Sequence, residues 1–502
     1  NTTGTVTLSG TNILDAASTV YSNAAGGVML LSNQLTGTGQ VVKAGDGDLR
    51  LSASNNFSGM MLVSNGTLNI RHAYALGSAA AGTEVRSGAQ LTLQSSGGTT
   101  YADEPLRLAG TGATSTGGVL QALSVSGGNA TWPGNITLTG DALISSAVTL
   151  TFTNAAGQTL GGTGNYAMRF SGFDGVNDVV VMGARITNAS AVIAENNVEL
   201  RLYNLNNSYD AATIASNASI NIIGSGSLGV IPGSPAPGRL RLDSGRLIWN
   251  GASGSIEPNI GIELVNYGVL RNASSTFTYG GVITGSGMLI KEGGQMLVLT
   301  NENTFTGGTV ITGGTIRASL ETSFGPDPAA YDADNIVLDG GGLQIDAGQT
   351  LVLDDAHRGI ETRKPGSVFN VNSVSATMVV AVAISGTGGV SKTGVGLLVV
   401  SGANNYSGTT AVAAGTLAYN GTNTSTAVGM AAGATLIGSG SIGSLSVTGR
   451  FSAGGAMGMA GQLRATSASF EPNGTNIVDI TSASGTPGVD WDVLTVGGGS
   501  GT

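Results

Sequence analysis

The residues whose types could do chemistry gather in one stretch. Between Asp354 and Lys364 stand Asp355, His357, Arg358, Glu361 and Arg363, with Asp339 and Asp346 upstream. Carboxylates beside a basic side chain are what a polysaccharide lyase or hydrolase needs, one group taking a proton and another giving it. The competing reading is that such charges are solvated decoration on a loop, and on that reading the stretch holds no catalytic residue. Asp174 and Asp178, in the irregular run FSGFDGVNDVVV, are the best-placed pair for a cation. Loop acids are ordinarily solvated, so no metal is expected there. Asp46 and Asp48 would fit one calcium-binding nonapeptide, but such sites need tandem copies and this one stands alone. Two runs match G-x-G-x-x-G, at Gly224/Gly226/Gly229 and Gly438/Gly440/Gly443. A dinucleotide site requires a helix after the motif, and here strands or turns follow, so both read as corners and no cofactor is expected. No nucleophile elbow, H-E-x-x-H or phosphate loop is present.

The elements that must carry these residues come from a repeat. One pattern runs without insertion over Gly37–Leu68, Gly285–Ile316 and Gly386–Leu417. Each copy has a glycine pair, a lysine (Lys43, Lys291, Lys392) and a glycine two residues later (Gly45, Gly293, Gly394). Apolar residues two apart follow, among them Leu49, Leu297 and Leu398. Then comes Asn-x-aromatic-x-Gly: Asn55/Phe57/Gly59, Asn303/Phe305/Gly307 and Asn404/Tyr406/Gly408. An eroded copy near 198–222 keeps Leu200, Leu202, Asn207, Tyr209 and Ile220 but lacks the glycines and the lysine. Alternation of two puts the apolar residues on one face of a strand. Glycine and Asn-rich punctuation every few residues turns the chain. A unit this small cannot bury its apolar face alone and must stack on neighbours. The expected fold is therefore all-β: a single long right-handed parallel β-helix, or β-solenoid. Residues 1–435 would form the repeat solenoid and 436–502 its β-rich continuation. The asparagines are expected to cap turns, and the lysines to lie outward in solvent or to snorkel along the wall.

Composition narrows the function classes. Aromatic residues make up only 5% of the 502, so the interior must be small aliphatics, which suits a narrow coil. A net charge of −10 with no basic run argues against nucleic acid. The absence of cysteine removes disulfides and thiolate metal sites. No apolar run approaches membrane-spanning length.

The motif line G-x-G…K-x-G…L-x-L…N-x-[FY]-[ST]-G…G-T-L resembles the autotransporter-associated β-strand repeat, also called the passenger-associated transport repeat. Residues 334–361 resemble its usual continuation, which makes the charged stretch an ordinary element of the family. The resemblance implies a secreted or surface-exposed bacterial protein with a β-helical architecture and no catalysis by the repeat. The function expected is a non-enzymatic extracellular structural rod that assembles or adheres; the alternative is a β-helix glycan-active enzyme or a glycan-binding adhesin. Expected partners are surface glycans and other copies of the chain, meeting head to tail through uncapped end coils.

Overall fold

The computed structural model describes residues 4–497 except 11, 16, 113–121, 154–156, 174–177, 273, 455–457 and 483. The chain divides into two compact units, Asn1–Gly251 and Ala252–Thr502. Among the described residues every long ladder is parallel, and the only helical turns are short 3₁₀ segments, Ser225–Leu228 and Glu321–Phe324. No helix is long and apolar enough to cross a membrane.

In the first unit one ladder runs through Val41, Met61, Thr83, Leu106, Ile136, Leu160 and Ile186, each the register partner of the next. The second unit does the same through Phe277, Leu297, Ile316, Leu343, Phe369, Lys392, Val412 and Met430. Each unit is thus a parallel β-solenoid. Parallel coils stack about 4.8 Å apart, so like residues form columns along the interior. The interior columns are aliphatic and sealed: Leu49, Leu297 and Leu398 are fully buried, as are Phe57, Tyr209, Phe305 and Tyr406 at the aromatic position. Strand Leu436 pairs with Phe451, which pairs with Asn476, so residues beyond 435 go on stacking in parallel.

The glycine that closes Asn-x-aromatic-x-Gly is required by this stacking. A Cβ on Gly59, Gly307 or Gly408 would lie 2.1, 2.4 and 2.4 Å from backbone atoms of Gly39, Gly287 and Gly388 in the coil before. No side chain fits where one backbone rests on another.

Candidate functional site

The recurring polar residues of the repeat are buried, and the lysine does the same work in each of its three copies. Lys43, Lys291 and Lys392 are fully buried, which corrects the expectation of outward, solvated lysines. Each occupies an inward slot in an apolar column: Lys43 lies between Tyr21 and Val63, Lys291 between Leu270 and Ile311, and Lys392 between Phe369 and Val412. The ammonium closes the corner by donating to three carbonyl oxygens. Lys43 Nζ reaches those of Ala44 (2.8 Å), Gly45 (2.6 Å) and Asn65 (3.0 Å). Lys291 reaches Glu292 (2.8 Å), Gly293 (2.8 Å) and Gly313 (3.1 Å). Lys392 reaches Thr393 (2.8 Å), Gly394 (2.7 Å) and Ala414 (3.1 Å). Two of the three acceptors belong to the lysine's own turn, and the third to the next coil. The glycine two residues on has φ of 71°, 83° and 72°, the left-handed conformation that aims its carbonyl back at the ammonium. Burial pulls each lysine down from its ordinary value to about 8, against the carboxylates of Asp48 and Asp46 at Lys43 and of Glu292 at Lys291.

The asparagines bridge coils. Asn55 Oδ1 accepts from the amide of Leu35 (2.8 Å) while its Nδ2 donates to the carbonyl of Ala75 (2.5 Å). Asn303 takes Ile283 (2.8 Å) and gives to Ser323 (2.7 Å). Asn207, in the eroded copy, takes Ile186 (2.8 Å) and gives to Ser227 (2.8 Å). One amide thus ties the coil before to the coil after at a corner where the strand ladder is interrupted. Asn404 accepts from Ile384 (2.9 Å), but its Nδ2 turns to Gly402 (2.9 Å) and the Tyr419 hydroxyl (3.3 Å). At the aromatic position the hydroxyls of Tyr209 and Tyr406 bond Thr213 (2.7 Å) and Thr410 (2.6 Å), four residues on.

The charged stretch is pinned down as well. Arg358 is buried, which corrects the picture of charges decorating a loop. Its guanidinium pairs with Asp355 (2.9 Å) and Glu321 (3.3 Å) and donates to the carbonyls of Gly325 (3.0 Å) and Pro326 (3.1 Å) and to Asn335. Burial raises the Glu321 carboxyl, while the amides of Asp354 and Asp355 and the arginine hold it down. Arg358 therefore staples the 3₁₀ turn Glu321–Phe324 to a later coil. Arg239 does the same in the first unit, donating to the carbonyls of Tyr209 (3.0 Å) and Val230 (2.9 Å) beside the turn Ser225–Leu228. The remaining charges pair off on the surface: His357 with Asp327 (3.0 Å), Arg363 with Glu361 (2.7 Å), Lys364 with Asp339 (3.1 Å), and Arg317 with Asp346. Glu361 and Asp339 thus face different partners. Beside them Asp332 and Asp334 share a hydrogen bond, and burial together with that neighbour raises the exposed Asp334 carboxyl, with Arg363 3.6 Å away.

Of the cation candidates, Asp174 lies outside the described residues. Asp178 is buried, and its Oδ2 accepts from the amide of Phe173 (2.7 Å). Among the described residues no group of three or more His, Cys, Asp or Glu side chains could hold a metal ion. Gly224, Gly226 and Gly229 frame the 3₁₀ turn rather than a helix that could receive a phosphate. In the second unit a groove of about 700 Å³ crosses four coils, floored by small residues such as Ala411, Gly429, Ser446 and Ser469. Its lining carries no charged or aromatic side chain.

The lysines and Arg358 were picked out from sequence but placed wrongly, and Arg239 was not picked out at all. The lysines had a signal: Val41-x-Lys43, Leu289-x-Lys291 and Val390-x-Lys392 keep the strand alternation, which turns the lysine inward. Arg239 and Arg358 had none, since their partners lie up to 34 residues away.

Comparison with known proteins agrees with this construction. The adhesin BmaC autotransporter of Brucella suis biovar 1 (strain 1330) is 28% identical over 221 residues, which cover 41% of this chain and 6% of that protein. The chain therefore spans a small fraction of its curated relative. No solved structure matches it. The passenger-associated-transport-repeat family matches at residues 41–70, 289–318 and 390–418, the three segments that carry the buried lysine, the bridging asparagine and the sealed aromatic. The chain thus carries three copies of the passenger-associated transport repeat.

Proposed function

We propose that this chain is part of a non-enzymatic, adhesin-like passenger displayed or released outside the cell, whose work is to present the outer walls of its solenoid units. The observation that carries this reading is where the reactive side chains have gone. The lysines, Arg239 and Arg358 are committed to backbone carbonyls at corners, where they hold turns rather than face a substrate. The similarity to a curated adhesin supports the same reading. Binding then belongs to the outer wall, and surface glycans are the partner class proposed for it. The test is direct: beads coated with the purified chain should bind host-cell monolayers, and a glycan array should identify the ligand. The same protein, incubated with bacterial and host polysaccharides, should release no new reducing ends or unsaturated sugars. If it depolymerises a polysaccharide and the Asp355→Ala/His357→Ala/Glu361→Ala triple variant does not, the chain is an enzyme and the proposal is wrong.

A further inference from the structure

One buried acid serves none of these corners. Glu104 is 2% exposed, at the turn between Tyr101 and the strand Leu106–Gly110. Its Oε1 accepts from the Thr83 hydroxyl of the preceding coil (2.8 Å). Its Oε2 is equally buried, and among the described residues no donor reaches it. The corner around it is pinned on both sides. Thr83 donates to the carbonyl of Pro105 (2.9 Å), Ala102 to that of Ala73 (3.0 Å), Tyr101 to that of Thr131 (2.9 Å) and Leu106 to that of Asn135 (2.9 Å). Above it the following coil rests directly on its backbone: a Cβ on Gly134 would meet the Glu104 carbonyl at 1.9 Å.

The groups around the carboxyl are neutral. Thr83, from the coil before, bonds it, and no charged group acts on it; Tyr101 of its own corner packs on Trp132 of the coil after (ring centroids 6.1 Å apart), and Gly134 of that coil lies against the Glu104 backbone. The nearest charged residues in sequence, Asp103 and Arg107, are exposed, and Glu84 and Arg86 pair with each other (3.0 Å). A carboxylate here would be a buried charge with one hydroxyl for company, which is costly. Burial accordingly raises Glu104 to about 7, and only the Thr83 bond pulls it back.

We propose that Glu104 is a proton-operated latch: uncharged it keeps the corner at residues 99–106 closed between its neighbours, and ionised it forces that corner to open to water. In the open corner the carboxyl returns to its ordinary value of 4.5, so the closed form holds the proton more tightly. A raised value in the closed state stabilises it in full below 4.5, and this stabilisation is lost as pH rises to about 7. The latch is thus shut in acid and slack at neutrality.

Hydrogen exchange of the full chain tests this, after correction for the intrinsic pH dependence of exchange. Protection of peptides covering residues 99–110 should fall about tenfold per pH unit between 4.5 and 7 and level off above, the slope of one coupled proton. Glu104→Gln keeps the shape without the charge and should remove that slope. The column already accepts this side chain, since two coils on Gln158 sits at the matching place, two residues before the ladder residue Leu160, and donates to the carbonyl of Trp132 (3.1 Å). An identical slope in both proteins overturns the latch. Should Glu104→Gln not fold, infrared difference spectra of the native chain decide: a protonated-carboxylic-acid band that titrates near 7 supports the proposal, and its absence at pH 6 overturns it.

Discussion

Replacing Phe305 with tyrosine should stabilise the protein, which is unusual for a change at a fully buried position. At the matching place Tyr209 and Tyr406 satisfy the hydroxyls of Thr213 and Thr410 at 2.7 and 2.6 Å. Phe305 cannot do this for Thr309, whose Oγ1 is buried with no partner among the described residues. An orphaned buried hydroxyl costs about 1–3 kcal/mol, and a neutral hydrogen bond contributes about 0.5–1.5 kcal/mol net. Desolvating the new phenol takes back part of this, leaving an expected gain of about 1 kcal/mol. Phe57→Tyr is the internal control. Its fourth residue on is Met61, a thioether that accepts hydrogen bonds weakly, so the same atom should there cost about 1–3 kcal/mol. Solenoids need not unfold in one step, so urea unfolding should be read together with hydrogen exchange of the strand Thr309–Ile311. Adding Thr309→Val to Phe305→Tyr should cancel the gain. If Phe305→Tyr and Phe57→Tyr lose stability alike, the hydroxyl pairing inferred from the other two copies does not operate.

Other expectations follow from the same corners. Lys291→Met strips the donor from three carbonyls and should cost about 2–3 kcal/mol in denaturant unfolding, with a like loss for Lys43→Met and Lys392→Met; a neutral result would make the buried ammonium dispensable. Because burial lowers the folded lysines to about 8 from an unfolded 10.5, the stability they contribute is full above 10.5 and lost as pH falls through 8. Thermal stability should accordingly climb between pH 8 and 10 in the native chain and climb less in the three methionine variants. Above pH 10 the sign reverses, because burial raises Tyr209, Tyr279 and Tyr419 and only the unfolded chain then ionises. Asn207→Ala unpairs the amide of Ile186 and the carbonyl of Ser227 and should cost about 2–4 kcal/mol by the same unfolding assay. Leu297→Ala should cost about 2–5 kcal/mol as a buried truncation, and a loss under about 0.5 kcal/mol would refute its place in the interior column.

What could be read from the sequence was whatever repeats within one coil. Alternation of two marks strands, glycine punctuation marks corners, and three in-register copies mark stacking, because each of these is set by residues close together in the chain. The asparagine's position was legible for that reason, but its job was not. A bridge from Leu35 through Asn55 to Ala75 exists only once three coils are superposed. The lysine shows the division most clearly. Alternation placed it on the apolar face, yet an isolated ammonium would not stay there, since its desolvation is costly. What holds Lys43 inside is a ring of carbonyls, two from its own turn and one from Asn65 in the next coil. Arg358 and Glu104 go further: one is held by carbonyls and the Glu321 carboxylate of a distant coil, the other left without a charged neighbour. Whether a buried charge is paired or stranded depends on which coil lands above it and which below, and that is decided by stacking.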